Sequence, residues 1–193
     1  MNTMLHLGLG SFHRAHQAVY LHELIARGDA SWTLAGGNTR PDMADTIRQL
    51  AAQGGAYTLE TISPAGEHRY RRITSIREVI PYTPDLAGLI ARGADPATKI
   101  ISFTVTEAGY ADDTAPTSPT TGHTIYGALI ALLRARQRSG AGPVTLLSCD
   151  NLRHNGDVVR ADLLKALQRD GDASLLDWVQ QHTSCPNGMV DRI

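Results

Sequence analysis

An α/β fold with a doubly wound, largely parallel sheet and an inserted β-hairpin is predicted by three features of this sequence. Short β-leaning runs alternate with longer amphipathic stretches, as βα units around a parallel sheet require. The segment Ile100-Ile101-Ser102-Phe103-Thr104-Val105 is apolar on both faces, which marks a central strand covered on both sides. The first short run ends in a glycine-rich turn, Gly8-Leu9-Gly10, that opens into a helical pattern.

The first strand is expected at Met4 to Leu9, followed by a helix from Ala15 to Ala26 in which Ala18, Leu21, Leu24 and Ile25 recur at helical spacing. A second strand, Trp32 to Ala35, leads to Gly36-Gly37-Asn38. Pro41 then stands where a first helical residue would, ahead of Met43, Ile47 and Leu50 on one face. Tyr57 to Ile62 and His68 to Ile73, joined through Pro64-Ala65-Gly66, read as an inserted hairpin before a helix at Pro84 to Ala91. The strand Ile100 to Val105 is followed by an exposed loop at Asp112 to Gly122 and a helix from Thr124 to Arg138. Val144 to Ser148 gives another buried strand, and the helix after it is expected to turn Val158, Leu163, Leu164 and Leu167 inward.

Composition bounds the function. The 193 residues are 42% hydrophobic and 19% charged with a formal net charge of −1, an ordinary soluble globular balance able to bury a full core. No block of basic residues offers a footprint for phosphate backbone or lipid headgroups, so neither nucleic acid nor a membrane is an expected partner. Cys149 and Cys185 lie far apart without a C-x-x-C pairing, which fits reduced thiols. The N-terminus lacks a basic segment followed by an apolar one, and no apolar run approaches the roughly 20 residues of a membrane span, so a cytoplasmic location is expected. The histidines show no H-E-x-x-H or comparable spacing, and His13 with His16 is a weak pair by itself; no metal is expected. Only Lys99 and Lys165 are lysines, so a lysine base has few places to stand.

The opening loop is the first candidate site. Gly8 and Gly10 permit a tight turn and close approach of backbone amides to a pyrophosphate at the positive end of the next helix, with Arg14 supplying charge. The third glycine of G-x-G-x-x-G is missing, and His13 stands in its place. Two glycines serve a plain β-turn-α connection equally well, so the residues alone leave both readings open. The acid that usually binds ribose hydroxyls after the second strand is replaced by Gly37-Asn38-Thr39-Arg40. Asn38 can hydrogen-bond a ribose, and Arg40 can meet a 2′-phosphate or be a solvated loop charge, so NAD and NADP both stay open.

Other candidates stand at the C-terminal ends of predicted strands, where open α/β sheets hold ligands. Thr106-Glu107 follows one strand, and Asp150-Asn151, with His154 and Asn155 close behind, follows another. Each is singly a common cap or turn former, and their shared edge is what makes them candidates for a site. An asparagine amide there can donate to a carbonyl oxygen that gains negative charge. Asp191 and Arg192 add a carboxylate and a guanidinium, or only a surface pair.

GLGSFHRAHQAVYLHEL, IISFTVTEAGY, TIYGALIALLRAR, VTLLSCDNLRHNGDVVR and SCPNGMVDRI, in this order, resemble the mannitol dehydrogenase family of polyol-specific dehydrogenases and reductases over nearly the whole chain. In that family the opening loop reads G-x-G-x-F-H-R. The resemblance therefore implies that Gly8, Gly10, Ser11, Phe12, His13 and Arg14 bind the cofactor of a Rossmann-like domain, together with Asn38, Thr106 and Glu107. It implies NAD, with NADP the alternative, no metal, and reversible oxidation of a secondary alcohol of an acyclic polyol to a ketose. It makes Asn151 the group that polarises the substrate oxygen, and Asp191 with Arg192 the binders of the small polyol or ketose. AGGNTRPDM and GGAYTLETISPAGE resemble most the branch that converts D-arabinitol to D-xylulose, with the mannitol and sugar-acid branches as alternatives. The family's general base is a lysine of a K-x-x-x-x-N-x-x-H motif on a second, helical domain, and residues 1–193 contain no such motif. The expectation is a dinucleotide-binding domain spanning 1–193, separated from its C-terminal substrate domain and unable to turn over alone. A stand-alone nucleotide-binding module is the competing reading from another class.

Overall fold

The expected alternation of strand and helix is realised in a computed structural model that describes residues 1–104 and 123–191. In chain order the elements are β1 (Asn2–Leu7), α1 (Ser11–Ala15), α2 (Gln17–Ala26), β2 (Trp32–Gly37), a 3-10 turn (Pro41–Met43), α3 (Ala44–Ala52), β3 (Tyr57–Ile62), β4 (His68–Ile73) and β5 (Ile76–Ile80). There follow α4 (Ala87–Gly93), β6 (Thr98–Phe103), α5 (Ile125–Ser139), β7 (Val144–Ser148), α6 (Asn155–Asp170), α7 (Ala173–His182) and β8 (Thr183–Ser184).

The main sheet has the order β5-β2-β1-β6-β7-β8, and every neighbouring pair is parallel. The chain winds outward from β1 to β5, returns to the middle, and winds the other way from β6, which is the doubly wound Rossmann order. This reversal leaves a crevice at the C-terminal ends of β1 and β6. Leu5, Leu7, Ile101, Phe103 and Leu146 meet the layer built by α4 to α7, through residues such as Leu89, Leu129, Leu163 and Leu175. Leu34 and Ile76 instead meet α2 and α3, through Ala18, Leu21, Ile47 and Leu50. The hairpin β3–β4 pairs antiparallel from Tyr57 opposite Ile73 to Ile62 opposite His68, in a small sheet of its own, as expected of an insertion.

Several boundaries differ from the expectation for local reasons. β1 stops at Leu7 because Gly8 turns away at φ +109. The first helix starts already at Ser11 and breaks at His16 into α1 and α2. β2 runs on to Gly37, where only glycine fits: a Cβ there would lie 2.5 Å from the Ile80 carbonyl oxygen. The helix expected from Pro84 begins at Ala87, after Leu86 in a left-handed conformation, with Thr83 Oγ1 and Asp85 Oδ1 accepting from the Ala87 amide. β6 is Thr98–Phe103, earlier than expected. Thr124 caps α5 by accepting from the Gly127 amide at 3.1 Å, as a helix start there requires. In α6, Val159 and Ala166 are buried with Leu163 and Leu167, whereas Val158 and Leu164 are only partly covered. The edge strand β5, helix α7 and the short β8 were not anticipated, and the expected loop 112–122 lies outside the described residues.

Candidate functional site

The loop after β1 lies at the mouth of the crevice. Gly8 at φ +109 adopts a conformation that strains an L side chain by about 1–2 kcal/mol. Its amide donates to the Gly37 carbonyl at 2.8 Å, and the Gly10 amide turns back to the Gly8 carbonyl at 2.8 Å. The Leu9 amide donates to Asn38 Oδ1 at 2.9 Å, so the end of β2 grips the loop from one side. A methyl group on Gly8 or Gly10 would meet no atom within 4 Å, so the other side is open backbone. Gly10 has no side chain to cap α1, and the first amides of that turn lack an intrahelical acceptor. Arg14 folds over the loop, its Nε donating to the Gly10 carbonyl at 3.3 Å and its guanidinium carbon 6.0 Å from the centre of the Tyr57 ring. The Tyr57 hydroxyl donates to the Arg14 carbonyl at 2.5 Å, and burial pushes that phenol above its ordinary range, which keeps it a donor. Bare amides, two open glycines and one cation are a fitting cradle for an anionic pyrophosphate.

Under the loop, His13 occupies the missing-glycine position and stacks on His6 of β1, with ring centroids 3.6 Å apart and planes 15° from parallel. Both are buried. His6 Nδ1 lies 2.8 Å from Ser102 Oγ, whose hydroxyl donates to Gln17 Oε1 at 3.0 Å. Burial brings the His6 pKa down to about 3 and holds His13 well below the usual imidazole range, His6 adding to the effect on His13. Both rings are therefore neutral at neutral pH, and they pack under the loop as a flat block.

The segment after β8 returns to the same crevice. Asn155, fully buried at the start of α6, donates from Nδ2 to the carbonyls of Gly188 at 2.7 Å, Asp150 at 3.0 Å and Ser148 at 3.3 Å. Its Oδ1 accepts from the amides of Gly156 at 2.9 Å and Gly188 at 3.0 Å. Gly156 makes this approach possible, since a Cβ there would lie 2.4 Å from the Cys185 carbonyl oxygen. Asn187 adds a two-way pairing with Asp157, at 3.1 and 2.9 Å. The Tyr20 hydroxyl in α2 then donates to the Val190 carbonyl at 3.2 Å, and Asp191 Oδ1 lies 3.5 Å from His16 Nε2.

Gly8, Gly10, Ser11, Phe12, His13, Arg14, Asn38 and Asp191 thus gather at one end of the sheet. Ser11 Oγ lies 3.5 Å from Arg14 Nη2, and the Phe12 ring leans on His16. Asn38 is buried with its carbonyl oxygen bonded to Leu9, so in this structure it braces the loop. Asn151 is exposed after β7, on the same edge and two strands, about 10 Å, across from β1. Asp150 is buried against Ser148, and burial raises the neighbouring Cys149 thiol to about 12, which leaves it unreactive. Arg40 is exposed, 3.8 Å from Asp42, and His154 is exposed 3.5 Å from Asp157. Lys99 lies near the start of β6, at the opposite end of the sheet, and Lys165 pairs with Asp162 on α6. Thr106, Glu107 and Arg192 lie outside the described residues. Sequence reasoning weighed His16 only as half of a weak metal pair with His13 and passed over His6 and Tyr20, although H-x-G-x-G at 6–10 was there to read. Among the described residues no group of three or more His, Cys, Asp or Glu converges as metal ligands would, and no helix is long and apolar enough to cross a membrane.

Residues 2–193 match the family model for the mannitol dehydrogenase Rossmann domain. This chain belongs to the mannitol dehydrogenase family. It is 50% identical over 202 residues to the D-arabinitol 4-dehydrogenase of Klebsiella pneumoniae, covering 99% of this chain and 44% of that protein. The D-arabinitol 4-dehydrogenase of Ralstonia nicotianae is 52% identical over 204 residues with the same coverage, and the mannitol 2-dehydrogenase of Cereibacter sphaeroides is 42% identical, covering 98% of this chain and 42% of that protein. Among solved structures, the ternary complex of Pseudomonas fluorescens mannitol 2-dehydrogenase with NAD and D-mannitol has a TM-score of 0.86 at 34% identity, covering 100% of this chain and 42% of that one. The chain spans less than half the length of these mannitol dehydrogenase family members.

Proposed function

We propose that residues 1–193 are the nucleotide-binding domain of an NAD-dependent polyol dehydrogenase that oxidises a secondary alcohol of an acyclic polyol, D-arabinitol to D-xylulose first among them. The observation that carries this reading is the convergence of the open glycine loop and the Asp191 carboxylate at the crevice where the strand order reverses. Similarity to two D-arabinitol 4-dehydrogenases supports the substrate class, and likeness to an NAD complex supports the cofactor.

In this reading the loop amides of Gly8 to Phe12 and the Arg14 guanidinium hold the pyrophosphate, and His13 supports them from below. The bound nicotinamide would supply the hydride acceptor. Asn151 donates a hydrogen bond to the substrate oxygen, and Asp191 accepts from polyol hydroxyls. Arg192, Thr106 and Glu107 enter by sequence alone. The alcohol must also lose a proton as hydride leaves. His6 and His13 are buried beneath the loop, and both lysines stand away from the crevice. The family resemblance, in which the base is a lysine of a second, helical domain, supplies the proton acceptor in this reading.

Titrating the chain with NADH and, in parallel, NADPH while following nicotinamide fluorescence tests this reading. Saturable NADH binding, tighter than NADPH and weakened roughly tenfold in Arg14→Ala by loss of a charge-assisted contact, is the expected result. Absence of NADH binding overturns the cofactor assignment. Oxidation of D-arabinitol by the 193-residue chain alone overturns the placement of the base elsewhere.

A further inference from the structure

The way Asp191 is held carries an assignment of its own. His16 stands at the break between α1 and α2, at φ −119 and ψ −85. Phe12, one turn earlier, packs its ring against His16 with centroids 4.4 Å apart. Tyr20, one turn later, donates its hydroxyl to the carbonyls of Val190 at 3.2 Å and Asp191 at 3.5 Å. Gly188 is anchored upstream by Asn155 through bonds of 2.7 and 3.0 Å. Tyr20 and Asn155 fasten the main chain around Asp191, and His16 Nε2 lies 3.5 Å from the Asp191 Oδ1, with the two side chains 17% and 29% exposed. Partial shielding strengthens such a contact relative to one in open water.

We propose that His16 is a positioning residue for the Asp191 carboxylate, so that the stretch leading out of the nucleotide loop also orients the acid offered to substrate hydroxyls. This rests on the reading of Asp191 as a substrate-binding acid. His16 itself touches neither nucleotide nor substrate in this assignment; it acts through Asp191.

The test uses His16→Ala and His16→Gln in the full-length enzyme. His16→Ala should raise the polyol KM roughly tenfold, as expected when a binding carboxylate loses the neighbour that orients it, and His16→Gln should recover part of it. The dissociation constant for NADH, read by fluorescence on the same variants, should stay within about twofold, because the loop is held by Gly37 and Asn38. Hydrogen exchange of the amides 188–191 should change little, since Tyr20 and Asn155 fasten the main chain. An unchanged polyol KM in His16→Ala overturns the proposal, and so does a parallel rise in polyol KM and NADH dissociation constant, which would mark a general structural role. The carboxyl-carbon NMR resonance of Asp191 must move in His16→Ala. That reading decides the contact even if the wild-type enzyme oxidises no polyol and the functional reading itself fails.

Discussion

The imidazole of His13 lies flat on that of His6, ring centroids 3.6 Å apart, in the place where a nucleotide loop of this kind usually carries its third glycine. A third glycine brings helix close to strand by having no side chain. Here a side chain is present, and β1 supplies a matching ring, so the loop rests on a buried aromatic pair.

Because both rings are buried and neutral, the pair makes stability depend on pH. In the unfolded chain each imidazole takes up a proton below about 6.5, whereas folded His6 resists until about 3 and His13 is lowered in the same direction. The unfolded state then binds more protons across that window. Stability is full above pH 6.5 and falls as pH drops, by of order 1 kcal/mol per pH unit for each ring. Urea unfolding at about pH 7.5 and pH 5.5 should show this loss, and His13→Phe, which keeps a stacked ring without a titrating nitrogen, should show a smaller one. Equal losses in both proteins would assign the dependence to other groups.

The two loop glycines should separate folding from binding. Gly8→Ala forces a side chain onto φ +109 and should cost about 1–2 kcal/mol in urea unfolding. Gly10 has φ −72 and open space around its Cβ position, so Gly10→Ala should fold with near wild-type stability. Its methyl group projects into the cradle, and NADH binding by fluorescence titration should weaken by roughly tenfold or more.

Asn155 joins the end of β7 to the segment that carries Asp191. Asn155→Ala leaves the Gly188 carbonyl and amide without this partner and should destabilise by about 2–3 kcal/mol. Asn155→Asp should be worse, since a carboxylate then faces the carbonyls of Ser148, Asp150 and Gly188. Urea midpoints rank the two variants, and hydrogen exchange over 186–191 should rise in both.

Arg136 on α5 is fully buried and donates to the carbonyls of Gly93, Asp95, Ala141, Gly142 and Pro143, at 2.8 to 3.1 Å. It fastens the turns ahead of β6 and β7. Arg136→Met should cost about 3–5 kcal/mol, because the carbonyls lose a charged donor in a buried place. Arg136→Lys should recover less than half of this, since one ammonium cannot span the same fan of acceptors. Thermal and urea unfolding check both, and near wild-type stability in Arg136→Met would refute the assignment.

Local patterns determined much of this protein by themselves. Apolar runs located β1, β2, β6 and β7, Pro41 and Thr124 marked helix starts, and the paired alternating segments marked the β3–β4 hairpin, because period, caps and turns act over a few residues. The glycine loop was legible for the same reason. Tertiary structure alone decided the rest. β5 carries Arg77 and Glu78 between its apolar residues, and pairing with β2 makes it a strand. β8 spans two residues and exists through its pairing with β7. His16 lies in a run of good helix continuity, yet the helix breaks there. Contacts between His6 and His13, Asn155 and Gly188, and His16 and Asp191 join residues whose spacing in the sequence carries no signal. A side chain's partner across the fold depends on which strands become neighbours, and that follows from burying both faces of one sheet rather than from the properties of any single segment.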